Sequence, residues 1–241
     1  MERHFFEYKD TIVSLLCDSA FAEAGRRSLM CSRLELEAYI RRHPAFGITH
    51  DPYPPTDDDS ELIHSMIRET AKAGVGPMAA VAGAFAEAAL RDMIRSGADQ
   101  AVVDNGGDIA FFIKKSMRVG LYTGQSPIRD LAFDVQPREG VFGICTSSGT
   151  VGHSFSYGQS DAAVVVSANV ALADAAATAL GNRVKGEADL EACFDFLCAL
   201  PEIEGALVVF RDKMALWGNL PKLVRSRVDL DLITKGKSKT L

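Results

Sequence analysis

Residues 5–8 and 11–17 are short, mostly apolar runs on either side of Lys9-Asp10. Two such runs around a polar turn predict a β-hairpin at the edge of a sheet. From Ser19 the period is that of a helix, and residues 20–42 read as one long amphipathic helix that stops before Pro44. The stretch GITHDPYPPTDDD, with three prolines and four aspartates, is a polar connector, and Ser60 followed by Ile63, Met66 and Ile67 opens a second helix. Gly74, Gly76 and Pro77 then lead into MAAVAGAFAEAALRDMIRSG, a helix with little side-chain bulk on any face. Strands follow at 101–103 and 109–113, around Asp104-Asn105-Gly106-Gly107-Asp108, and at 116–122, 131–135 and 142–146. Closely spaced strands and turns imply antiparallel pairing.

A β-branched run and an alanine-rich helix ending near Gly181-Asn182 come next. Residues 188–200 read as a further helix with Leu190, Phe194, Leu197 and Cys198 on its apolar side, and 205–210 with 214–217 as a closing hairpin around Arg211-Asp212-Lys213. Helix, AVV, polar turn and IAFF in the first half are answered by helix, LVV, polar turn and MALW in the second, which suggests a structural duplication. The expected class is α+β, antiparallel sheet packed with helices. The expected organisation is a single domain over 1–241, made of two intimately packed halves at about 1–125 and 126–241, with a peripheral tail from about 229.

Composition narrows the function classes. At 47% hydrophobic, 241 residues can bury a sizeable core, and 26 basic against 32 acidic residues, a net −6, argue against a nucleic-acid partner. The five cysteines are scattered and include no CxxC pair, which predicts reduced thiols in a cytosol, not a disulfide frame or zinc site. No apolar run has the length of a membrane span, and the run before Cys17 is too short and follows too many charges for a lipoprotein signal. These features predict a cytoplasmic protein without membrane contact.

Candidate chemistry concentrates between residues 143 and 184. Asp174 and Thr178, in ADAAAT, lie four residues apart and so share a helix face, with only small side chains between them. Their oxygens suit Mg²⁺; alternatively, Asp174 serves an N-terminal helix turn and Thr178 bonds back to the helix backbone. The loop Ser147-Ser148-Gly149 precedes His153, a candidate base or a satisfied loop histidine. Gly76, before a helix, could admit an anion, while His50 and Asp51 belong to the polar connector. The turn at 104–108 is a hairpin signal in its own right. Two glycines between two carboxylates also suit a loop whose N–H groups face a ligand while Asp108 reads a hydroxyl or a metal-bound water.

The segment GADQAVVDNGGDI, preceded by a small-residue helix and followed by ADAAATAL, resembles the ApbE superfamily of FAD:protein FMN transferases, and more closely its shorter soluble branch. The ordered motifs run from about Gly74 to Asn182. The resemblance implies an α/β fold of helices against antiparallel sheet, related to the T-fold, with internal duplication. It implies FAD or FMN as ligand, Mg²⁺ held by Asp174 and Thr178, a flavin-side turn at Asn105, Gly106, Gly107 and Asp108, and His153 as the family's loop histidine. In the transferases FMN is passed from FAD to a threonine of an acceptor protein. The mechanism this implies uses Mg²⁺ against the pyrophosphate, N–H groups at Gly76, Ser147, Ser148 and Gly149 as an anion cradle, and His153 or Asp108 as base.

Two departures stand beside the match: Val81-Ala82-Gly83 replaces the family's Ala-Lys-Gly, and Asp104 occupies its asparagine position. Three functions are therefore carried forward. They are an Mg²⁺-dependent FMN-transferase-like or FAD pyrophosphate-cleaving enzyme, a non-catalytic binding protein for a flavin or other heterocycle, and a structural partner in a homo-oligomer.

Overall fold

The computed structural model describes residues 1–9, 11–149, 158–227, 229 and 234. The two N-terminal runs form the expected hairpin: β1 (Glu2–Tyr8) pairs antiparallel with β2 (Thr11–Cys17), Glu2 opposite Cys17 and Tyr8 opposite Thr11. On β2, Val13, Leu15 and Cys17 point to the helical core, while Ser14 points to the other face. Helix α1 (Ser19–Arg42) begins where the Asp18 side chain accepts the Ala20 N–H at 3.0 Å. It ends at Arg42, two residues before Pro44, whose ring cannot continue it. The connector returns to α1 through Tyr39, whose hydroxyl donates to Asp59 at 2.6 Å. Ser60 caps α2 (Glu61–Ala73) through the Ile63 N–H, and a left-handed Gly74 ends it. A 3₁₀ turn, Pro77–Ala80, then leads into α3 (Val81–Arg95).

The remaining elements are β3 (Ala101–Asn105), β4 (Asp108–Phe112), β5 (Met117–Leu121), β6 (Leu131–Val135), β7 (Phe142–Ser147), β8 (Ala162–Ser167), α4 (Val170–Arg183), β9 (Ile203–Phe210), β10 (Lys213–Gly218) and β11 (Lys222–Arg225). Eight strands form one antiparallel sheet in the order β1-β2-β3-β4-β7-β8-β9-β10; β11-β6-β5 form a smaller one. Hairpin, helices, hairpin thus occurs twice along the large sheet, first as β1β2–α1α2α3–β3β4 and again as β7β8–α4–β9β10.

The two faces of the large sheet differ in side-chain size. Towards the helices it presents Ala101, Ala110, Cys145, Ala163 and Ala206; towards the small sheet, Phe111, Phe142, Ile144 and Leu207. Small residues on both sheet and helix bring the backbones of α3 and α4 close to the strands. On the opposite side, Phe111 and Phe142 stack at 5.0 Å beneath the small sheet.

Two expectations are corrected. Residues 188–200 are not one helix but 3₁₀ segments at Glu187–Leu190 and Asp195–Ala199. Successive three-residue bonds, Leu197 N–H to Phe194, Leu200 N–H to Leu197 and Ile203 N–H to Leu200, replace the α-helical ladder. That tighter winding buries Cys193, Phe194, Leu197 and Leu200 and turns Cys198 outward. Strand β11 was not foreseen: its four residues are too few for a period of their own, and it forms by pairing with β6.

Candidate functional site

The site begins where α3 and α4 touch. A Cβ added to Gly83 would stand 2.6 Å from the Val170 carbonyl oxygen and 2.7 Å from Asp174 Cβ, so only glycine admits this approach. The two helices hold each other's first turns. Gly83 N–H donates to Asp174 Oδ2 at 2.7 Å, and Val170 N–H donates to Glu87 Oε2 at 3.0 Å. Each carboxylate lies four residues after the amide its partner helix engages, Gly83 to Glu87 on one and Val170 to Asp174 on the other. Both meet the unpaired amides and the positive end of a helix. Arg91 grips the second oxygen of Glu87, with Nε at 2.9 Å. Asp174 therefore does serve an N-terminal turn, but that of the neighbouring helix.

The β3–β4 hairpin places the second carboxylate. Gly106 and Gly107 have φ of +69° and +104°, and Asn105 pairs with Asp108 across the two-residue turn, the geometry of a type I′ hairpin. Asp104, on the far face, accepts the Gly107 N–H at 3.0 Å and the Thr234 hydroxyl at 2.6 Å, and Thr234 in turn bonds Ser14. Asn105 donates to the Ala82 carbonyl at 3.1 Å, tying the turn to the start of α3. Asp108 faces the helices, 8% exposed, and accepts the Thr146 N–H at 3.3 Å.

Burial pushes the Asp108 carboxyl well above the usual carboxylate range, and the charge of Asp174 pushes it further; the Cys145 thiol and the Thr146 N–H oppose the shift. Burial also raises Asp174, while the Gly83 and Ala82 amides hold it down. Those two amides make Asp174 the member of the pair that ionises first, leaving the proton on Asp108. Cys145 sits between them, its thiol pushed well up by burial and by both carboxylates, with Sγ donating to the Val170 carbonyl at 3.5 Å.

Asn105, Gly106, Gly107, Asp108 and Asp174 thus gather around the start of α3, and Thr178 lies one turn further along α4, partly exposed. Ser147 ends β7; Ser148 and Gly149 follow, and Gly149 N–H donates to the Ser160 carbonyl at 2.9 Å. At Gly76, which caps the 3₁₀ turn leading into α3, a Cβ would stand 2.1 Å from the Thr49 carbonyl oxygen, so the residue 49–50 loop is packed against this glycine. His153 lies outside the described residues. Reading the sequence missed Cys145, the Gly83 amide and Glu87. The matching four-residue spacings on two small-residue helices were the available signal for the last two, and the alternation Gly143, Cys145, Ser147 for the first.

Among the described residues no three His, Cys, Asp or Glu side chains converge as a metal cage. What the site offers a cation is oxygen: the Asp174 and Asp108 carboxylates and the Thr178 hydroxyl. That donor set fits Mg²⁺, which takes few protein ligands and completes its shell with water and substrate phosphate.

A family model described as AbpE bacteria matches residues 6–193. The chain belongs to that family. A UPF0280 protein of Methanocella arvoryzae is 48% identical over 231 residues, covering 96% of this chain and 94% of its own. Another, from Methanothrix thermoacetophila, is 44% identical over 238 residues, covering 98% and 100%. The fold is shared with solved transferases. The apo flavinyl transferase ApbE of Pseudomonas stutzeri superposes with a TM-score of 0.61 at 13% identity, covering 90% of this chain and 93% of that one. A variant of the flavin transferase ApbE of Vibrio cholerae gives 0.54 at 10% identity, covering 90% and 96%. The α+β, ApbE-like class is thereby established for this chain. No single helix among the described residues is long and apolar enough to cross a membrane, and all five cysteines are free.

Proposed function

We propose that this AbpE-family protein binds a flavin nucleotide at the Asp108–Asp174 site through Mg²⁺, held by Asp174 and Thr178, and splits FAD to transfer or release FMN. The observation that carries the reading is the facing of two buried carboxylates, Asp108 and Asp174, at the first turn of α3. Two such groups raise each other's cost of ionisation, and a cation between carboxylate and phosphate removes that cost. The names of the solved structural neighbours, flavinyl and flavin transferases, supply the substrate class.

Bound Mg²⁺ would supply neutralising charge to the pyrophosphate and to the oxygen on which AMP leaves. The chain's own contribution is positioning and proton handling. The Gly83 amide fixes Asp174 Oδ2 at 2.7 Å and so orients the carboxylate. Asn105 and the Gly106-Gly107 turn hold Asp108 beside it. With its charge balanced, Asp108 takes the proton of the acceptor hydroxyl as that oxygen bonds to the FMN phosphorus and the bond to AMP breaks. His153 is the alternative base. Ser147, Ser148 and Gly149 close the ligand's far side, and an acceptor protein or water supplies the hydroxyl.

One feature favours a second reading, a binding protein without turnover: Ala82 stands where the transferases carry lysine, so no ammonium is supplied there. Both readings are tested by titrating the protein with FAD, with and without Mg²⁺, following flavin fluorescence and AMP release, and repeating the series with Asp174→Ala and His153→Ala. Mg²⁺-dependent AMP release lost in Asp174→Ala is the expected result. Binding without AMP identifies the second reading, and indifference of the wild type to FAD contradicts both.

A further inference from the structure

Ser160 is fully buried, and its Oγ has no hydrogen-bond partner among the described residues. An unmet buried hydroxyl is a cost to the fold, and such a group calls for a reason. Its surroundings supply one. A methyl built on Gly181 would stand 3.5 Å from Ser160 Oγ and 3.6 Å from both Ser147 Oγ and Ala163 Cβ. These are ordinary contact distances, so beside Gly181 there is a space about one atom across, bounded by two hydroxyls.

This space is aligned with the proposed site. Gly181 follows Asp174 by seven residues on α4, two helical turns, which returns it to within about 20° of the same face. On β7 below, Cys145 lies beside Asp108 and Asp174, and Ser147 two residues on lies beside Gly181. Asp174, Thr178 and the Ser147–Ser160 niche therefore form one line along α4.

The two ends of that line differ in charge preference. The Asp174 end meets the amides of the first turn of α3, whereas the niche lies near the C-terminal end of α4, the negative end of the helix dipole, which disfavours a phosphate. A hydroxyl, which both donates and accepts, suits two serine hydroxyls and a one-atom space.

We infer that Ser147, Ser160 and the space at Gly181 form a niche for one hydroxyl of a polyhydroxylated ligand chain, bound with its anionic end towards Asp174. This rests on the flavin-nucleotide reading, since the ribityl chain of a flavin is such a chain. It adds a direction to the bound ligand and gives Gly181 a role that alanine, a better helix former, cannot fill.

The test compares wild type with Ser160→Ala and Gly181→Ala in binding riboflavin, lumichrome, which has the ring system without the ribityl chain, and Mg²⁺ with ADP. Melting temperatures are measured alongside. Ser160→Ala removes the unmet hydroxyl and Gly181→Ala fills the space, so both variants are expected to melt at or above the wild-type temperature. Each is expected to weaken riboflavin binding about tenfold, the effect of one lost hydrogen bond, and to leave lumichrome and ADP within about twofold. Unchanged riboflavin affinity in both variants overturns the niche, as does an equal loss of ADP affinity, which would make it a phosphate site. Failure of wild type to bind riboflavin and lumichrome overturns the flavin reading and the niche with it, a result distinguishable because it is read before any variant is compared.

Discussion

At the scale of single residues, Asp108 decides most. Its carboxyl is buried, faces Asp174, and has only a thiol and one backbone N–H to favour its charged form. The folded protein consequently holds the Asp108 proton more tightly than the unfolded chain does. Stability therefore falls as pH rises from the ordinary carboxylate range towards the raised folded-state value, and is restored as pH drops below that range. Asp108→Asn, which cannot ionise, is expected to stabilise the metal-free protein by about 1–3 kcal/mol near neutral pH and by little in acid. Denaturant unfolding of both proteins at two pH values checks this. Equal stabilities at neutral pH would show that Asp108 carries no such burden. The same substitution removes the proposed base and is expected to abolish AMP release while leaving Mg²⁺-dependent FAD binding in place, so stability and function move in opposite directions.

At the scale of elements, the site depends on two helices that cap each other. Gly83→Ala sets a methyl against the Val170 carbonyl and should cost about 2–4 kcal/mol, well beyond what the gain in helix propensity returns. Glu87→Ala removes the acceptor for the Val170 N–H and should cost about 1–2 kcal/mol. Its effect on hydrogen exchange should reach both the first turn of α4 and the Gly83 amide. Faster exchange at Val170 alone would mean that the two caps act independently.

This is also where the sequence was least legible. Runs such as IVSLLC, AVV and LVV, with their flanking turn residues, declare strands locally, and Asp-Asn-Gly-Gly-Asp declares its turn. The ADAAAT spacing shows which side chains share a face, but not which neighbouring helix that face meets. Glu87 reads as an ordinary surface partner of Arg91 until α4 is docked. Residues 188–200 failed for the opposite reason: their apolar spacing fits a helix, but the chain between α4 and β9 winds as two short 3₁₀ segments.

At the scale of the whole molecule, the large sheet separates two duties. One face carries the helices and the site, and the other, with Phe111 and Phe142, carries the small sheet. Phe133→Ala, on the far side, should cost about 3–5 kcal/mol while leaving ligand affinity unchanged at temperatures where the variant stays folded. A parallel loss of affinity would show that the layers are coupled. The order of hairpin, helices and hairpin occurs twice along the chain, and the Gly-Gly-Asp turn lies in the first of the two runs. The outer strands β1 and β10 expose Phe5 and Leu216, at 62% and 50%, and these edges are where a homo-oligomer would form.

The central claim is that Asp174 and Thr178 hold a divalent cation for a flavin nucleotide. The most direct test is a crystal structure with FAD and Mn²⁺, a Mg²⁺ substitute visible by its anomalous scattering. The account predicts one anomalous peak about 2.1 Å from an Asp174 carboxylate oxygen and from the Thr178 hydroxyl, in contact with the ligand's phosphates. A nucleotide bound with no peak there, or with the metal held elsewhere, would contradict it.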